Sequence, residues 1–162
     1  MANMLVPIPG ARPVDPATVN PTDYDRECAA AIIKTKDGLI ALQQRGAANN
    51  FAHFLSPFGG GLEADETPEQ GMIRELREEL ELQIAPGAAI YLATMIEDPS
   101  PGAPRGMLLH IYFYHDAAGA MGACNEWSRA FYETAEGALS HPLLSSDGRW
   151  GLEECVRRGL LK

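Results

Sequence analysis

The sequence predicts an α/β fold built on a central mixed sheet, and three observations carry that expectation. Strand-like and helix-like segments intermix without strict βαβ alternation. An Asp37-Gly38 hairpin signal joins two apolar runs. A helix with agreeing start signals at Thr67 separates those runs from a second strand pair. Together they call for one sheet with helices on its faces.

The elements follow in chain order. Residues 1–22 hold five of the twelve prolines, which fix φ and remove backbone donors, so this segment reads as an extended arm. The chain accordingly divides into an arm over residues 1–25 and a single domain over 26–162. Such an arm packs across its own domain or onto a second copy, and a homodimer is compatible with it. CAAAIIKTKDGLIALQQR supplies strands at about 28–35 and 39–45. Residues 46–58 read as a loop with short strand character near Phe54, and the glycines at 59–61 continue it. Thr67 serves as N-cap, Pro68 suits the first helical position, and Gln70 completes a capping box. The helix runs to about Leu80, with Met72, Ile73, Leu76 and Leu80 on one face against the sheet. Residues 88–98 and 106–116 are two strands of a second hairpin around a Pro- and Gly-rich loop. A loop follows at 119–127, then a short strand in SRAFYET, a short helix in TAEGALS, and a C-terminal helix in SSDGRWGLEECVRRGLL.

Bulk properties narrow the function. The chain has 162 residues, one ordinary domain, and a net charge of −9. With no cluster of five or more Lys and Arg, a nucleic-acid partner is not indicated. Three widely spaced cysteines (Cys28, Cys124 and Cys155) form neither a disulfide framework nor a metal knuckle, and read as reduced cytoplasmic thiols. The N-terminus lacks the charged and apolar regions of a signal peptide, and no apolar run is long enough to span a membrane.

The chemistry is concentrated in GGGLEADETPEQGMIRELREELEL, residues 59–82. Glu75, Glu78 and Glu79 are spaced i, i+3, i+4 and share about a 100° arc of the helix. Two readings are open. One is a solvated acidic face. The other is a cluster of hard oxygen ligands for a divalent cation, with the glycines letting backbone approach a ligand.

These residues resemble the box of the Nudix hydrolases, G-x5-E-x7-R-E-U-x-E-E-x-G-U with U a bulky aliphatic. Gly60, Glu66, Arg74, Glu75, Leu76, Glu78, Glu79 and Leu82 match eight of the nine specified positions, and Glu81 stands in the place of the last glycine. Asp65 lies where many members have glycine, at a turn position that tolerates Asp. Glu81 leaves the helix exit open: either it adopts a strained left-handed conformation or the helix ends differently.

The resemblance implies a three-layer αβα sandwich around a mixed sheet. It also implies Mg²⁺- or Mn²⁺-dependent hydrolysis of a diphosphate linkage in a nucleoside diphosphate derivative. Glu75, Glu78, Glu79 and the Gly60 carbonyl would be metal ligands, and one glutamate would also serve as general base. Arg74 would orient the cluster and Glu66 would brace the loop. By the same analogy Glu126 joins Glu78, Glu79 and Arg74 in the catalytic set, and Glu97 has a weaker claim. Arg45, His53 and Arg105 are candidate substrate contacts, because arginine can bind phosphate bidentately and His53 precedes the glycines closely. His110 reads as a hydrogen-bonded sheet residue, and Trp127 and Trp150 as core or base-stacking groups. The alternative function is a Nudix-fold nucleotide-binding or regulatory domain without turnover.

Overall fold

One strand organises the sheet. The computed structural model of the protein describes residues 7–45, 54–124 and 128–161. Its strands are β1 (Ala11–Val14), β2 (Arg26–Lys34), β3 (Ile40–Arg45), β4 (Leu55–Ser56), β5 (Phe58–Gly61), β6 (Ile90–Glu97), β7 (Met107–His115) and β8 (Ser128–Glu133). Its helices are α1 (Pro68–Leu80), α2 (Ala135–Leu139) and α3 (Ser146–Arg157). β2 pairs in parallel with β7 along its whole length, from Arg26 opposite Met107 to Lys34 opposite His115. Its other edge is shared. Cys28–Ala31 pair antiparallel with β5, and Ile33–Lys34 pair antiparallel with β3. The sheet therefore forks at β2.

β2 is a nearly continuous apolar run because both its faces are covered. Ala29, Ala31 and Ile33 lie under α1 with Met72, Leu76 and Leu80. Cys28, Ala30 and Ile32 belong to the opposite core with Ile111, Leu152 and Cys155. On that side α3 comes so close that a Cβ on Gly151 would stand 2.4 Å from Ile32 Cδ1. This gives the mixed sheet with helices on both faces that the sequence predicts.

The arm lies outside the apolar pattern, yet part of it is regular. β1 pairs antiparallel with β6 and extends the sheet edge of its own chain. Two single 3₁₀ turns, Pro16–Thr18 and Pro21–Asp23, follow it. The glycines depart from the sequence expectation. Residues 58–61 are a strand rather than a loop, with Gly59, Gly60 and Gly61 paired to Ala30, Ala29 and Cys28. Glycine carries no strand signal, so only the close approach of the β2 backbone explains it.

α1 starts as its sequence dictates. Thr67 Oγ1 accepts from the Gln70 N–H, and Gln70 Oε1 accepts from the Thr67 N–H. Its exit resolves the open point at Glu81. The residue adopts φ 52°, ψ 26°, the left-handed conformation glycine would take. Its N–H donates to the Arg77 carbonyl, and Gly122 N–H donates to the Leu80 carbonyl at 2.7 Å. The turn delivers Leu82 into the core, fully buried. Asp65 is also left-handed, at φ 63°. Trp150 packs on the α3-side core, whereas Trp127 lies outside the described residues. Among the described residues, no helix is long and apolar enough to cross a membrane.

A left-handed non-glycine residue costs about 1 kcal/mol. Glu81→Gly should therefore raise stability by about 0.5–1 kcal/mol, part of the gain being lost to glycine's greater unfolded-state entropy. Urea unfolding of the two proteins, compared by midpoint at equal slope, reads this directly.

Candidate active site

The site begins with a missing side chain. An ideal Cβ on Gly60 would lie 2.6 Å from the Glu75 carboxylate carbon and 2.7 and 2.8 Å from its two oxygens. Glu75 reaches from α1 into the space that a side chain at residue 60 would fill. Gly59 is equally constrained, since a Cβ there would stand 2.1 Å from the Ala29 carbonyl oxygen. The glycines bring β5 against β2 and α1 against β5.

Arg74 fixes this arrangement. Its side chain is 14% exposed, and each of its five N–H donors has an acceptor. Nε donates to Glu66 Oε2 at 2.7 Å, and Nη2 donates to Glu66 Oε1 and the Gly61 carbonyl, both at 2.9 Å. Nη1 donates to Glu75 Oε1 at 2.9 Å and to Glu78 Oε2 at 3.2 Å. One guanidinium thus ties the glycine strand, the turn before α1 and two carboxylates of α1. Glu66 also accepts from the Glu63 N–H at 2.9 Å. The Arg74 hydrogen bonds, with help from Glu63, hold the Glu66 carboxyl down to about 2. The same pairing, Glu66 first, raises Arg74 above its already high value.

A cleft of about 420 Å³ opens where the sheet forks, and Glu75, Glu79 and Gly60 line it. Glu79 is buried, at 8% exposure. Glu78 is placed differently: it is 54% exposed, points to Arg74 and does not line the cleft. Arg74 itself stays behind the cleft wall, so its geometry is that of a positioning residue. Glu97, at the end of β6, lines the cleft. Arg105 does not. Its backbone N–H and Nε donate to the Asp25 carboxylate at 2.6 and 3.0 Å, and its Nη atoms donate to the Thr22 and Tyr24 carbonyls. It clamps the root of the arm to the β6–β7 loop instead of facing a phosphate. His53, Glu126 and the Arg45 side chain lie outside the described residues. His110 is buried between Thr94 and Glu27, bonded to Thr94 Oγ1 at 2.9 Å and Glu27 Oε2 at 2.8 Å, as a sheet residue should be.

Among the lining residues that escape the sequence reading are Arg26, Gln43, Ser56 and Asp147. Arg26 shares a strand face with Cys28 by alternation, but the apolar run begins two residues later and sets the apparent strand start there. Ser56 Oγ is buried with no hydrogen-bond partner among the described residues. Asp147 lies buried in the first turn of α3, capped by Ser145.

The donor set bears on a metal ion. Among the described residues no three His, Cys, Asp or Glu side chains converge as a ready-made cage. Glu75 and Glu79 nevertheless bring hard oxygen donors to one cleft beside the bare Gly60 backbone. That suits Mg²⁺, which keeps several waters and uses one or two carboxylates together with substrate phosphates.

The sequence profile of the NUDIX domain matches residues 25–150. The chain belongs to the Nudix family and is a Nudix hydrolase. It is 35% identical over 123 residues to the CTP pyrophosphohydrolase of Escherichia coli K12, covering 75% of this chain and 84% of that one. It is also 35% identical over 101 residues to the 8-oxo-dGTP diphosphatase of Haemophilus influenzae, covering 62% and 63%. Among solved structures, the E. coli ORF135 protein is similar with a TM-score of 0.61 at 30% identity, covering 82% of this hydrolase and 89% of that chain. The MutT protein of Methanosarcina mazei shares the fold with a TM-score of 0.69 at 18% identity, covering 83% and 94%.

Two outcomes follow for the hydrolase. In Gly60→Ala the new methyl must displace the Glu75 carboxylate, so turnover should fall on the order of 100-fold, the scale of a misplaced reacting group. The circular dichroism spectrum should stay that of wild type. Glu66 has a depressed folded pKa, so its stabilising effect is present above about pH 4.5 and is lost as pH falls toward about 2. The stability difference between wild type and Glu66→Gln, read from urea midpoints, should be constant above pH 4.5 and shrink toward pH 2.

Proposed function

We propose that this Nudix hydrolase is a divalent-metal-dependent pyrophosphohydrolase of nucleoside triphosphates. The observation that carries the reading is the joint placement of the Glu75 and Glu79 carboxylates over a glycine strand in one cleft. The likeness to the CTP and 8-oxo-dGTP enzymes supports a triphosphate as substrate.

The residues divide the work along the cleft. At one end Glu75, Glu79 and the Gly60 carbonyl would hold Mg²⁺ or Mn²⁺. When bound, such an ion neutralises phosphate charge and lowers the pKa of a coordinated water. Glu75 is oriented by the hydrogen bond from Arg74 Nη1. Glu79 is the buried carboxylate of the pair and lines the cleft, so it is assigned the role of general base. Glu79 would take a proton from water as the water oxygen bonds to phosphorus and the bridging P–O bond breaks. The products are a nucleoside monophosphate and pyrophosphate. Glu78 contributes through Arg74, and Glu126 and His53 remain candidates for the catalytic set and for substrate contact. At the other end Gln43, Ser56 and Asp147 offer donors and acceptors to the nucleoside.

The test is a panel of nucleoside triphosphates, sugar nucleotides, dinucleoside polyphosphates and ADP-ribose, with Mg²⁺, with Mn²⁺ and with chelator. Triphosphates should be the best substrates, pyrophosphate should be released, and chelator should abolish turnover. Glu79→Gln should reduce kcat by about 10²–10⁴-fold with unchanged melting. Near-wild-type rates in that variant would remove Glu79 from the chemistry. Nucleotide binding without hydrolysis of any panel member would instead make the cleft a binding site only.

A further inference from the structure

We propose that Arg26 anchors the phosphate chain of the substrate, and that residue 61 is glycine to give its guanidinium room. This rests on the reading of the cleft as a triphosphate site.

Four carboxylates line the cleft: Glu75, Glu79, Glu97 and Asp147. Among the described residues a single basic side chain, Arg26, lines it with them. Most other described arginines are engaged, Arg77 excepted. Arg12, Arg74, Arg105, Arg157 and Arg158 each hold a carboxylate. Arg26 holds none among the described residues. An arginine left unpaired beside carboxylates, in a cleft that must accept phosphates, has its planar donor fork available for bidentate phosphate binding.

Its backbone is fixed from both sides. The preceding Asp25 donates its N–H to the Gly106 carbonyl at 3.1 Å, and the Asp25 carboxylate is gripped by Arg105. Arg26 itself pairs with Met107 as the first rung of the parallel ladder. Alternation then sends its side chain to the Cys28 face, and Cys28 pairs with Gly61. A Cβ on Gly61 would lie 3.0 Å from Arg26 Nη2, so the guanidinium rests against bare backbone. Gly60 presents the other face of the same strand to Glu75. The acidic and basic groups therefore flank one glycine strand, with no side chain between them, and a phosphate chain crossing that strand would meet both. Glu75 and Glu79 would hold a cation that takes some phosphate oxygens, and Arg26 supplies the contact for the others.

The experiment uses the full chain as wild type, R26K, R26M, G61A and R26M/G61A. Two quantities are measured: steady-state kinetics on the best nucleoside triphosphate, and calorimetric binding of inorganic tripolyphosphate. R26M should raise KM about ten-fold or more with kcat within about three-fold, the scale of one lost charge-assisted contact. R26K, which keeps a point charge without the fork, should fall between. G61A should raise KM only while Arg26 is present, so that the double variant matches R26M. Melting curves equal to wild type exclude a folding effect. Unchanged KM and unchanged tripolyphosphate affinity in R26M would overturn the anchor, as would a fall in kcat at constant KM. A G61A effect that persists beside R26M would overturn the role given to Gly61. Wild type that turns over no triphosphate yet binds tripolyphosphate through Arg26 would sink the substrate reading and leave the anchor standing.

Discussion

The partly buried guanidinium of Arg74 is the point on which the site depends. Removing an arginine from water is costly unless every donor finds an acceptor and its charge finds a counter-charge. Here two carboxylate oxygens of Glu66, one each from Glu75 and Glu78, and the Gly61 carbonyl fill all five positions. The requirement is mutual. Without Glu66 the guanidinium lacks its closest partner, and without Arg74 the carboxylates on α1 repel one another. Lysine could not substitute, because three donors on a flexible stem cannot reach five acceptors held in a plane. The crowding of acid around the helix is thus stabilised by one cation rather than by solvent.

The second constraint is distance. Three consecutive glycines are usually a sign of freedom, but here each is fixed by what stands next to it. Gly59 is held by the backbone of β2, Gly60 by the Glu75 carboxylate, and Gly61 by the Arg26 guanidinium. Gly60 and Gly61 are paired strand residues with ordinary dihedrals, and their value is the absence of a side chain. α1 can therefore bring its carboxylates to the edge of the sheet, where the fork at β2 leaves a cleft.

Much of this was legible in the residues. The hairpins, the capped helix and its buried face follow from period, turn chemistry and capping, all local signals. The box singled out Glu75, Glu78, Glu79, Arg74 and Gly60 by spacing; the fold brings Glu75, Glu79 and Gly60 to one cleft, while Glu78 turns outward to Arg74, a difference that helical spacing does not encode. What escaped was set by non-local contacts. The glycine strand has no propensity of its own and exists because β2 lies beside it. The use of Arg105 as a clamp depends on Asp25, eighty residues away in the chain. Its chemistry suggested phosphate equally well. Arg26, Ser56 and Asp147 meet only when three separate segments converge on the fork. Glu81 ran against local preference, and the loop carrying Gly122 compensates by capping the helix it ends.

The parallel ladder between β2 and β7 has a kinetic consequence. The whole glycine strand, α1 and β6 lie between these two strands in the chain, so their pairing must close a long loop before it returns any energy. β5 and β3 pair with one edge of β2, and β7 covers the other. Completion of the cleft therefore waits for the second hairpin to dock, because Glu97, Met107 and Leu109 line it. A nascent chain that has emerged only as far as α1 carries the carboxylates of the box and still lacks the β6, β7 and α3 residues that wall the cleft.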